Sequence, residues 1–287
     1  MSAPEIPIDA FEIFATGLDH PECLAFDRQG RLWAGGEAGQ VYRIGSGGKP
    51  ETVATLGGFC GGIAFSPEDE LFVCNPSHGI VRVQACGKSA IFASHAGDHK
   101  LICPNYGLFD SAGMYYVTDS GNWKRKNGYL LRFTPDGEGK IMAGPFGYAN
   151  GLALSADERS LYMVESDTDR ILRFKLGCDG APDPAETFAE NVGRFPDGLT
   201  FDAEGNLYAC CYASDEIYRV NPAGQKTLLA WDRNAILLGS PTNMAFGGDQ
   251  FDELYVANLA RTTITRARLG RRGQPLANQK GKAHAKP

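Results

Sequence analysis

The chain has 287 residues, 43% of them hydrophobic and 22% charged, with a formal net charge of −6. This is enough apolar material for a large core, and the negative balance argues against a general affinity for nucleic acid. No apolar run approaches the roughly 18 residues of a membrane helix, and the opening MSAPEIPIDAFEIF lacks the basic-then-apolar order of a secretory leader, so a cytoplasmic address without membrane contact is expected.

In chain order, the first strand-like segment is FEIFATG, residues 11–17. Six units with one grammar follow: an apolar strand, a turn rich in Asp, Gly or Ser, then a strand with an aromatic near its start. They read CLAFDRQGRLW, GIAFSPEDELF, GLFDSAGMYY, GLALSADERSLY, GLTFDAEGNLY and MAFGGDQFDELY. Their aromatics, Trp33, Phe72, Tyr115, Tyr162, Tyr208 and Tyr255, recur every 39 to 47 residues, around the period of a four-stranded propeller blade. A third strand follows in each unit (QVYRI, IVRVQ, YLLRF, RILRF, EIYRV, TITRA), and its apolar–polar alternation marks a half-buried strand. Five units add a fourth, ETVATL, AIFAS, KIMAG, ETFAE and KTLLAW; the sixth has none.

The predicted fold is therefore all-β: a six-bladed β-propeller with four antiparallel strands per blade, forming a single domain over residues 1–270. FEIFATG is expected to pair beside TITRA, closing the ring and leaving no open sheet edge. The last 18 residues carry five Lys or Arg and no acid, so residues 271–287 are expected as a basic, flexible tail. The eight cysteines show no metal-finger spacing and read as reduced thiols acting mostly as small hydrophobes.

The repeats define equivalent positions. Some ten to twelve residues before each aromatic, where the first strand begins, stand Glu22, the Cys60-Gly61 pair, Asn105, Asn150, Asp197 and Asn243. The first strand of a blade is the innermost, so these side chains should converge on the central channel. Two carboxylates held together there would repel unless one were protonated. A divalent cation removes the conflict, and an all-oxygen set with two carboxylates suits one hard ion, Ca²⁺ above all. The alternative is that Asn and Asp only cap turns before each first strand.

With these motifs in hand, the chain resembles the SMP-30/gluconolactonase/regucalcin family of six-bladed propellers, over residues 11 to 269. PEC-L-F near the start, YANGLALSADERSLYMVES and FPDGLTFDAEGNLYACCYASDEIYRVNPAG carry the resemblance. It implies a divalent ion, usually Ca²⁺, at the channel mouth, assisting lactone hydrolysis. Glu22, Asn150 and Asp197 match the ligand positions, and Asn105 matches a further ligand or substrate contact. One departure stands out. Sugar-lactone members commonly carry an Arg two residues before the blade-three Asn, where this chain has Cys103; the Asp-Gly that follows in them is Tyr106-Gly107 here. That exchange suits a smaller or more alkyl lactone.

Loops after the second strands open on the same face, which makes His78 and Asp119 further candidates for substrate contact, alongside Cys103 and Asn105. The loop DSGNWKRKNG holds Trp123 beside three basic residues and is either a partial lid or a solvated tip. The expected chemistry is metal-assisted hydrolysis of a small-molecule lactone, with Asp197 as general base and Glu22 as anchor of the ion. No G-x-S-x-G nucleophile elbow is present. A related hydrolase of organophosphates or other esters, or a non-catalytic Ca²⁺-binding scaffold, are the competing readings.

Overall fold

A computed structural model describes residues 3–280. Its strands form six four-stranded antiparallel sheets and one short hairpin, His95–Ala96 with His99–Lys100, and in blades 1 to 5 the spatial order is the sequence order. The innermost strands are Cys23–Phe26, Ile63–Phe65, Pro104–Phe109, Ala149–Leu154, Pro196–Phe201 and Pro241–Gly247. Blade 6 has only two further strands of its own, Glu253–Asn258 and Thr263–Arg268, and takes its outer strand, Glu12–Thr16, from the chain's beginning. The expected closure is what the structure shows: FEIFATG and TITRA pair, so both edges of the break are covered by one another.

The repeated aromatics explain why the units assemble in a ring. In five blades the ring near the start of the second strand packs on a phenylalanine at or next to the end of the next blade's inner strand. Trp33 meets Phe65 at 5.9 Å, Phe72 meets Phe109 at 5.0 Å, and Tyr162 meets Phe201 at 5.2 Å. Tyr208 meets Phe246 at 5.4 Å, and Tyr255 returns to Phe26 at 5.0 Å. The sequence period is thus an inter-blade contact, mostly edge-to-face, worth about 0.5–1.5 kcal/mol per pair beyond area burial. Blade 3 breaks the rule: Tyr115 stacks on Phe109 of its own blade at 4.2 Å, because blade 4 ends its inner strand in Leu154.

Residues 271–280 differ from expectation. They form no loose tail but a strap across the end of the channel away from the inner strands' starts. Gly273 and Gln274 donate backbone N–H groups to Phe251 and Phe201 at 2.8 and 3.0 Å. The Gln274 amide reaches the Leu154 carbonyl at 2.8 Å, and the Asn278 amide reaches that of Phe26 at 3.0 Å. Lys280 ends the strap on Ser111 and Glu158. Beneath it lies an apolar cavity of about 80 Å³. Residues 281–287, the rest of the expected tail, lie outside the described residues. A chain truncated after Arg271 should therefore melt about 5 °C or more below the full chain: each lost bond contributes about 0.5–1.5 kcal/mol, and about 1 kcal/mol shifts the midpoint of a domain this large by some 2–4 °C. Calorimetric melting checks this, and an unchanged midpoint would show that the strap carries no load.

Candidate functional site

Each inner strand enters the channel from the same face, and in blades 3 to 6 it is irregular at that point. The pairing register slips between Pro104 and Tyr106, between Ala149 and Leu152, between Pro196 and Leu199, and between Pro241 and Asn243. Asn105, Asn150, Asp197 and Thr242 occupy those slips. A bulge bends a strand and re-aims its side chain; here it turns polar groups into the channel instead of leaving them in the pleat. The glycines that follow have a different cause from a turn. A Cβ on Gly151 would stand 2.1 Å from the Asp197 carbonyl oxygen, and one on Gly198 would stand 2.6 Å from that of Thr242. The Asn-Gly and Asp-Gly pairs lie inside strands, where neighbouring backbones nearly touch.

Glu22, Cys103, Asn105, Asn150 and Asp197 line one cavity of about 310 Å³ at this mouth. The amides are held in a defined orientation by hydroxyls of the residues that immediately follow the second strands of blades 3 and 4. Ser120 Oγ donates to the Ala149 carbonyl at 2.7 Å and accepts from Asn105 Nδ2 at 2.9 Å. Ser166 Oγ likewise donates to the Pro196 carbonyl at 2.7 Å and accepts from Asn150 Nδ2 at 3.2 Å. A hydroxyl has one proton, and in both cases the next blade's carbonyl takes it. The hydroxyl must then accept from the amide nitrogen, which fixes each Asn with its Oδ1 away from the serine. Thr242 Oγ1 closes the ring by donating to the Glu22 carbonyl at 2.7 Å.

What remains is a set of buried oxygens short of partners. Glu22 Oε2, Asn150 Oδ1 and Asn243 Oδ1 have none. Asn243 lies deeper, its amide against the Tyr106 hydroxyl, and it does not line the mouth. Burial, then the adjacent Asp197 charge, pushes the Glu22 carboxyl well above the usual carboxylate range. Burial does the same to Asp197, opposed by a hydrogen bond from Asn150. Two desolvated carboxyls with acceptor-only amide oxygens beside them have no cationic side chain to balance them in the cavity lining. The donor set fits a hard divalent cation held by Glu22, Asn150 and Asp197, with Asn105 adjacent. A further acidic group, Asp19, His20 and Glu37, lies at the blade 1 rim, where the His20 ring is paired at 3.0 and 3.3 Å with its own neighbours.

Two expected substrate contacts are placed elsewhere. Asp119 is fully buried behind the wall, where its carboxylate accepts from the Ile102 and Cys103 backbone at 2.8 and 2.7 Å and pairs with His99 at 2.9 Å. It shapes the Cys103 turn instead of facing substrate, because three backbone N–H groups and a ring consume its lone pairs. His78 is exposed above Gly57 and outside the cavity lining. Cys103 does face the cavity, but burial pushes its thiol up to about 11, followed by the Asp119 and Glu22 charges, so it is present as a neutral thiol. The hydroxyls of Ser120, Ser166 and Thr242 were not anticipated. The Asp-Ser and Glu-Ser pairs at the ends of the second strands, in YVTDS and YMVES, are the sequence signal of the two serines.

The model of the family described as SMP-30/Gluconolactonase/LRE-like region matches residues 20–260. The chain is 31% identical to 6-deoxy-6-sulfogluconolactonase of Pseudomonas putida, over 47% of this chain and 46% of that protein. It is 28% identical to lactonase drp35 of Staphylococcus saprophyticus, over 83% and 79%, and 27% identical to human regucalcin, over 58% of each. The match thus spans only about half the length of the first and the last of these. Among solved structures, a gluconolactonase from Xanthomonas campestris superposes with a TM-score of 0.79 at 21% identity, covering 90% of this chain and 89% of that one. A calcium-binding regucalcin from Agrobacterium tumefaciens superposes with a TM-score of 0.79 at 18% identity, covering 95% and 97%. At these identities the superpositions establish the propeller fold.

Proposed function

We propose that this chain, which belongs to the SMP-30/gluconolactonase/LRE-like family, is a divalent-metal-dependent lactonase whose reaction takes place at the axial cavity. The observation that carries this reading is the convergence of two buried carboxyls, Glu22 and Asp197, with the Asn150 amide oxygen, where Glu22 Oε2 and Asn150 Oδ1 have no protein partner. A divalent cation, Ca²⁺ by the hardness of its ligands, would supply there the positive charge that a carbonyl oxygen needs as it becomes negative. Glu22 anchors the site and is tied through its own carbonyl to Thr242. Asn105 and Asn150 present Oδ1 atoms in orientations set by Ser120 and Ser166.

Asp197 is the general base. Its carboxylate is buried in the wall of the cavity, and a carboxylate facing the attacking water there can take its proton. As water oxygen bonds to the lactone carbonyl carbon, Asp197 accepts the water's proton. It returns that proton to the ring oxygen when the ring C–O bond breaks, leaving a hydroxy acid and an unchanged enzyme. The chemistry of the relatives points the same way: a sulfogluconolactonase and a lactonase are among them. Following acid release from γ-butyrolactone, a phosphotriester and an aryl ester, each with and without chelator, tests the reading. Metal-dependent turnover of the lactone above the other two is expected; preferential turnover of the phosphotriester would move the protein to the competing hydrolase class.

A further inference from the structure

Above the axial oxygens the cavity wall is aromatic. Trp123 packs on Tyr148 at 5.1 Å and on Phe195 at 4.9 Å, and Phe195 touches Tyr148 at 5.4 Å and Tyr212 at 6.1 Å. All four line the cavity, and Trp123 and Tyr212 remain exposed at 54% and 37%. Two of the rings stand on left-handed backbone, Tyr148 at φ +57° and Phe195 at φ +53°. Bulky residues adopt that conformation only at a cost of order 1–3 kcal/mol, and such strain clusters at functional sites. The strain is held from behind. Phe195 donates its N–H to Asp169 at 2.7 Å, and the carbonyls of Tyr148 and Phe195 accept from Ser166 and Tyr212 at 3.1 Å each.

The wall selects by what it offers and what it lacks. No Lys or Arg lines the cavity, so neither an anionic substituent nor a ring of hydroxyls finds a charged donor. Centroids about 5 Å apart mean that the rings touch one another, which leaves no box between them for a quaternary ammonium group. The rings stand at 46° to 83° to one another and so offer faces and edges along one side of the cavity. We propose that this wall binds an aromatic ring carried by or fused to the lactone, holding its carbonyl over the axial residues, and so makes aryl-substituted lactones the preferred substrate class. The proposal rests on the hydrolytic reading above for its chemistry but not for its binding surface.

The test pairs turnover with binding. kcat/KM is measured for dihydrocoumarin, γ-butyrolactone and glucono-δ-lactone, in the native protein and in Trp123→Ala, whose exposed side chain can be removed without opening the core. Calorimetry follows binding of 2-tetralone, which keeps the fused ring of dihydrocoumarin but has no ester bond. A phenolate leaves more readily than an alkoxide, so the deciding quantity is each lactone's change on substitution, about tenfold being the scale of one aromatic contact plus its burial. Trp123→Ala should remove about tenfold from dihydrocoumarin turnover and from 2-tetralone affinity, with a clearly smaller loss for γ-butyrolactone, which presents no ring to the wall. Equal losses on both lactones, or a preference for glucono-δ-lactone, would overturn the proposal. If no lactone is opened, the hydrolytic reading falls, and 2-tetralone still decides: binding weakened in Trp123→Ala sustains the wall, and no binding removes it.

Discussion

Asp197→Asn should lower kcat by at least about 10²-fold, the scale of losing general-base assistance, while the protein stays folded. Asn has the same shape and keeps an oxygen for the hydrogen bond that Asn150 donates to Asp197. The bulge between Pro196 and Leu199 and the close approach of Gly151 to the Asp197 carbonyl are backbone features that the substitution leaves alone. Only the negative charge and the proton-accepting capacity disappear. Initial rates at saturating lactone give kcat, and the melting midpoint serves as the control for folding. A kcat within about threefold of the native value would take Asp197 out of the chemistry.

Chelating divalent ions should abolish lactone hydrolysis and lower the melting midpoint on the order of 10 °C, with Ca²⁺ restoring both. A ligand present at about 1,000 times its Kd stabilises the native state by about 4 kcal/mol, and about 1 kcal/mol is worth some 2–4 °C here. Glu22→Gln should show opposite signs in the two states. In the ion-free protein it removes one of two buried, mutually repelling carboxyls and should raise the midpoint; with Ca²⁺ present it removes a ligand's negative charge and should lower it. The pH dependence has a definite direction too. Both carboxyls are raised in the ion-free fold, so the folded state holds more protons than the unfolded one above their ordinary values of roughly 4. The ion-free protein should accordingly lose stability as pH rises through the raised values. A midpoint that ignores chelator, Ca²⁺ and Glu22→Gln alike would leave the channel without a cation role.

The fold was legible because its period is a contact: the recurring aromatic of one blade rests on the phenylalanine of the next. The axial oxygens were legible for a related reason, since equivalent positions in a ring must meet at its axis. What the sequence hid is set by tertiary partners. Asp119 looks like a loop carboxylate until the turn at Ile102 and Cys103 wraps it. Residues 272–280 look like a tail because few of them are apolar; they are held instead by the side-chain amides of Gln274 and Asn278 on backbone carbonyls of other blades. The aromatic wall draws Trp123, Tyr148, Phe195 and Tyr212 from separate loops, so no local pattern announces it. Its trace in sequence is an aromatic two residues before each of Asn150 and Asp197, and its reason, the left-handed backbone there, appears only in three dimensions.

The central claim, that Glu22 and Asp197 hold a divalent cation at the head of the channel, is tested most directly by calorimetric titration of Ca²⁺ into the chelated protein and into its Glu22→Gln, Asp197→Asn double variant. One ion per chain should bind the native protein, and the double variant, still folded by its melting curve, should lose that binding. Absence of stoichiometric binding in the native protein, or equal binding by the variant, would contradict the account.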